Sequence, residues 1–97
     1  MDWETPEHLE QHFYGRLHHR RLGCRSIQEY DASAQETVLI GVEFTYIDSP
    51  TRLHRIGFFH RDTSRFVVAS MARKIVSHFQ ADEAYVASLE QSTYRDD

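Results

Sequence analysis

Seven histidines in 97 residues give this chain many side chains that change charge near neutral pH. His8 and His12 stand one helical turn apart in the run His8-Leu9-Glu10-Gln11-His12. Two histidines so spaced can bind zinc, but the HExxH pattern needs glutamate directly after the first histidine, and Leu9 stands there. No metal and no cofactor are therefore expected. His18 and His19 lie in a basic run with Arg16, Arg20, Arg21 and Arg25. A second concentration spans residues 53–79, where Arg55, Arg61, Arg65, Arg73, Lys74 and His78 are woven between apolar runs such as Ile56-Gly57-Phe58-Phe59 and Phe66-Val67-Val68-Ala69. Imidazoles held against a packed sheet can exchange protons, and guanidinium groups can clamp phosphate.

The rest of the composition narrows the classes. The length fits a single domain, residues 1–97, and hydrophobic residues at 40% with charged residues at 27% argue for a globular chain. The net charge of −4 opposes a general nucleic-acid binder, yet the acids gather at the two ends, leaving room for a local basic surface. Cys24 is the only cysteine, which excludes an intramolecular disulfide and makes a cytoplasmic setting the default. No apolar run approaches the roughly 20 residues that span a bilayer, and the acidic start lacks the features of a secretory leader. No membrane association is expected.

The elements that must position these side chains can be read in order. Thr5 and Pro6 suit the N-cap and first position of a helix, and Leu9, Phe13 and Leu17 share one face, which predicts a helix over 6–22 with Gly23 at its exit. Ser26 and Glu29 form a capping box for a second helix ending near Gly41. Val42, Phe44 and Tyr46 alternate as on a half-buried strand. Asp48-Ser49-Pro50-Thr51 and Arg61-Asp62-Thr63-Ser64 read as turns, separating strands over 53–60 and 65–70; Gly57 marks a bulge or a close approach. Val67, Met71, Ile75 and Phe79 repeat every fourth residue, as in a helix, while Phe66-Val67-Val68 and Ile75-Val76 are β-prone. Two strands joined near 71–73 are preferred, although that connection has no Gly, Asn or Asp. Asp82 can cap a short helix over 84–89. The fold expected is α+β, with two N-terminal helices packed on a four-stranded, mainly antiparallel meander and a short C-terminal helix.

This order of features resembles the small bacterial and phage toxin-like nuclease domains that share the fold of barnase, EndoU, colicin D and RelE. The resemblance spans about residues 9–89. It rests on Leu17-His18-His19-Arg20-Arg21-Leu22-Gly23, on the block from Arg55 through Phe66 to Val68, and on Ile75-Val76-Ser77-His78-Phe79. It departs from the family in the turn at Met71-Ala72-Arg73 and in having Ser77 where threonine is usual.

The resemblance implies a metal-independent ribonuclease from a mobile element, cleaving RNA by histidine acid/base chemistry. His18 (with His19 as an alternative register) and His78 would exchange protons, Arg55 would clamp the phosphate, and Ser77 would bond a phosphate oxygen. Arg21, Tyr46 and Phe58 would contact the substrate, the two rings by stacking on bases. RNA and an immunity or antitoxin protein are the partners it suggests, while a homodimer through the exposed edge of the meander is what a non-catalytic binding module would form. Each residue also has a structural reading. His18 suits a helix C-terminus, Arg55 could pair with Glu43 across strands, and Tyr46 and Phe58 could be core. A non-catalytic binding or oligomerising domain of the same fold is the alternative function.

Overall fold

Four strands follow one another in a single antiparallel sheet: β1 (Val42–Ile47), β2 (His54–His60), β3 (Arg65–Ser70) and β4 (Ile75–Gln80). They belong to a computed structural model that describes residues 1–95, with side chains through Glu90. Helices precede and follow the meander, so the α+β architecture is the one the sequence pattern predicts. The segment 67–79 is two strands rather than a helix. Its tight connection closes with the Arg73 amide donating to the Ser70 carbonyl at 2.8 Å and the Ser70 amide to the Lys74 carbonyl at 2.9 Å. Arg73 takes the left-handed backbone (φ 62°) that glycine would normally supply. Its guanidinium donates to both Glu43 carboxylate oxygens, at 3.1 and 3.3 Å, and lies 5.9 Å from the centre of the Phe58 ring. Anchoring by side chains replaces the missing turn residue.

Strand alternation sorts the side chains onto two faces. Ile56, Phe58, Val67, Ala69 and Ile75 pack against Ala34 and Val38 of α3 (Ile27–Ile40). Tyr46, Phe59, Phe66 and Val68 pack on the other face against Ala81 and Val86, the latter from α4 (Glu83–Arg95). All three N-caps expected from sequence, Thr5, Ser26 and Asp82, are present. The Glu29 amide donates to Ser26 Oγ at 3.1 Å, and the Tyr85 amide to Asp82 Oδ1 at 2.8 Å. The last helix runs well beyond the 84–89 span expected. Gly57 marks a close approach: a Cβ there would lie 2.7 Å from Phe44 Cζ and 2.9 Å from Phe66 Cζ.

The N-terminal helix is not continuous, which corrects the single helix expected over 6–22. It comprises α1 (Pro6–Glu10), a π-helical turn (Gln11–Gly15) and, after a break, α2 (His18–Leu22). Leu17 causes the break by adopting a left-handed backbone (φ 58°), and Gly23 ends α2 in the same region (φ 73°). On an unbroken helix His12 and His18, six residues apart, would point about 120° away from each other. The break turns His18 back toward His12. Phe13, Leu22, Cys24 and Tyr30 form a separate small core beneath these segments. Among the described residues, no helix is long and apolar enough to cross a membrane.

Candidate functional site

β4 lies at one edge of the sheet, and the broken helical segment wraps over that edge. The N-terminal residues hold the strand's opening, where the Ile75 amide donates to the Asp2 carbonyl at 2.7 Å and the Glu4 amide to the Ile75 carbonyl at 2.8 Å. Trp3 is tied to α3 through Asp31, its Nε1 donating at 2.8 Å. Against this scaffold three imidazoles stack in a row. The His8 and His12 rings are 6.4 Å apart with 18° between their planes, and the His12 and His18 rings 5.8 Å apart with 19°. His12 Nδ1 is 3.3 Å from Ser77 Oγ, and His18 sits 5.5 Å from the Phe79 ring. Thr5 anchors the outer end. Its hydroxyl accepts the His8 amide at 3.1 Å and is 2.8 Å from His8 Nδ1. One side chain therefore caps α1 and orients the first ring.

The electrostatics of the row follow from its neighbours. Burial, then Arg16, His18 and His8, hold His12 down to about 4. Burial, then Arg16 and Arg21, lower His18 as well. Both rings are neutral at pH 7. Neutral imidazole has one N–H and one nitrogen lone pair; with His12 Nδ1–H donating to Ser77 Oγ at 3.3 Å, the Nε2 lone pair is free to accept a proton and the Ser77 hydroxyl proton is free to donate elsewhere. Among the described residues no carboxylate bonds His12, so a serine-histidine-acid relay of the hydrolase kind is not assembled.

The residues singled out from sequence separate into two groups. His18 and Ser77 converge on the row, and Arg21, exposed on α2, lies close enough to disfavour protonation of His18. His78 does not join them. It points to the opposite face, has no exposed surface, and bonds Phe66 O through Nδ1 at 2.9 Å and Ser33 Oγ through Nε2 at 2.9 Å. The Tyr30 hydroxyl donates to its carbonyl. Because a carbonyl can only accept, Nδ1 carries the ring proton and Nε2 accepts from Ser33. His78 is thus a satisfied core group. Tyr46 and Phe58, 3% and 2% exposed, are core rings with no face open to a base. Arg55 shares the Ser77 face of the sheet but lies on β2, opposite Tyr46 and Ser70. Two strand spacings and two residues of rise separate it from Ser77, roughly 12 Å between Cα atoms. It does not pair with Glu43, which Arg73 holds.

His12 is the residue that sequence reasoning passed over, having weighed it only as a zinc ligand with His8. Among the described residues no group of three His, Cys, Asp or Glu side chains is arranged to hold a metal ion. A groove of about 650 Å³ lies at the other edge of the sheet between α3, β1, β2 and α4. Its lining joins apolar residues such as Val42, Phe44 and Phe59 to the charged Arg61, Asp62 and Glu83, and its one histidine, His60, is 2.7 Å from Thr63 Oγ1 through Nδ1. The imidazole row therefore lies at the β4 edge, away from this groove. No family model, curated protein or solved structure matched the chain.

Proposed function

We propose that the β4 edge is the active site of a metal-independent ribonuclease, with His12 and His18 as its acid/base pair. One observation carries this reading: two parallel imidazoles 5.8 Å apart, one within reach of the Ser77 hydroxyl, in the field of Arg16 and Arg21. In this reading His12, the more strongly neutral ring, takes the proton from a ribose 2′-OH. The 2′-oxygen bonds to phosphorus and the bond to the 5′-oxygen breaks. His18, protonated once the phosphate is seated, returns a proton to that 5′-oxygen. The products are a 2′,3′-cyclic phosphate and a 5′-hydroxyl. Ser77 donates to a non-bridging oxygen, and Arg16 and Arg21 offset the negative charge that builds on phosphorus. On this reading the reaction takes place in the cytoplasm, the default setting for a chain with a lone cysteine, and an immunity or antitoxin protein would act by covering the arginine-flanked corner.

The test is cleavage of single-stranded RNA in excess EDTA, with product ends identified by mass spectrometry. The expected result is cyclic-phosphate ends and a loss of at least 100-fold in His12→Ala or His18→Ala, the usual scale for a general acid or base. An inert wild-type protein, or variants as active as the parent, refutes the assignment.

A second reading, a binding or oligomerising domain, has its own support at the opposite edge. Leu39, Val42 and Ile40 are 84%, 72% and 47% exposed there, beside the apolar groove. Under that reading the protein leaves RNA intact and elutes as a dimer, which a solution-mass measurement with Val42→Asp as control resolves.

A further inference from the structure

The imidazole row contains one ring more than an acid/base pair needs, and the charged groups acting on its His12 and His18 rings are all of one sign. Its members come from three separate segments: His8 from α1, His12 from the π-helical turn and His18 from α2. The groups acting on the inner rings are Arg16 and Arg21 together with the other histidines. Ser77 and Phe79 face them from β4, and the Trp3 ring, 6.4 Å from His12, faces them from the N-terminal segment. Glu7 and Glu10 also lie on α1 but are exposed, and among the described residues neither forms an ion pair with a ring. Rings that are flanked by guanidinium groups and other imidazoles, and that no carboxylate bonds among the described residues, lack a paired counter-charge. Each proton placed on the row repels the next, unless an anion enters with it.

We propose that the His8–His12–His18 row is a proton-coupled phosphate site, in which a phosphate-class dianion and one proton bind together and occupancy rises as pH falls. This rests on the reading of the corner as a phosphate-handling site, and adds His8 and the proton linkage to it. Geometry makes the coupling local. Thr5 Oγ lies 2.8 Å from His8 Nδ1 and, as a hydroxyl, can donate to a bare ring nitrogen or accept from one that carries a proton. Ser77 does the same for His12 at the other side of the row. The row can therefore take up the proton wherever the anion seats.

The linkage is read directly with inorganic sulfate, which stays a dianion across the range and contributes no titration of its own. Calorimetry on the full chain in two buffers of different ionisation enthalpy counts the protons taken up. The expected result is close to one proton per sulfate at pH 7, and about tenfold weaker binding for each pH unit from 6.5 to 8. His8→Gln, at a half-buried ring, weakens sulfate binding and lowers the proton count while leaving the fold intact. Arg21→Gln, at an exposed site, weakens binding while keeping the count. Sulfate binding without proton uptake, or no binding in a folded wild-type protein, overturns the proposal. Proton-coupled binding in a protein that leaves RNA intact supports this site and retires the nuclease reading. RNA cleavage with pH-independent sulfate binding does the reverse.

Discussion

His78 allows a prediction of acid sensitivity that can be worked through from the structure. The ring is fully buried between the sheet and α3, and both nitrogens are occupied. Burial is the largest influence on it and holds it down to about 4, from 6.5 in the unfolded chain; the bond to Phe66 O opposes the shift, and Arg65 and His18 add to it. Above pH 6.5 the ring is neutral in both states, and its contribution to stability is fully present. As pH falls below 6.5 the unfolded chain binds a proton that the folded chain refuses. Stability is then lost progressively until the folded ring itself titrates near 4. That span of about 2.5 pH units, at about 1.4 kcal/mol per unit, amounts to about 3.5 kcal/mol. For a domain of this size that is a large part of the total. Urea denaturation at pH 7, 5.5 and 4.5, in wild type and in His78→Gln, measures it. The wild-type midpoint falls with acid, and the variant loses about one proton's worth of that slope. The half-exposed His12 contributes a smaller, solvent-screened share in both proteins. Equal slopes in the two proteins would refute the assignment of the buried proton to His78.

Three further outcomes test the packing. Ser64 sits in left-handed backbone (φ 56°), so Ser64→Gly raises stability by about 0.5–1 kcal/mol, read as a higher Tm. Gly57→Ala drives a methyl group against the Phe44 and Phe66 rings at 2.7 and 2.9 Å and lowers stability by about 1–3 kcal/mol, read by the same melt. The Cys24 thiol is buried and burial pushes its pKa up, so the native protein reacts slowly with a thiol reagent and rapidly once denatured in urea.

The helix caps, the β-turn residues and the alternation in β1 carry local physics that reads directly from the chain, and the meander follows from them. The β3–β4 turn was harder to read because its closure depends on Arg73 reaching Glu43, a contact between residues distant in sequence. The break at Leu17 left no signal, since a leucine in left-handed backbone is held by its surroundings and not by its own preference. On an unbroken helix His12 and His18 would point about 120° apart, so their pairing depends on a break that the chain does not signal. Two other misplacements were legible. Ser77 and His78 are neighbours on one strand and must point to opposite faces, so they could not share a site. Arg55 and Phe58, three apart on β2, are divided by the same alternation.

The most direct measurement of the central claim is RNA cleavage in EDTA by the wild type, His12→Ala, His18→Ala and His78→Gln, each first shown to be folded. If the β4 edge is the active site, both alanine variants lose activity and His78→Gln keeps it at pH 7. If His78→Gln is the variant that loses activity while His12→Ala cleaves like the parent, the acid/base pair has been placed on the wrong face of the sheet.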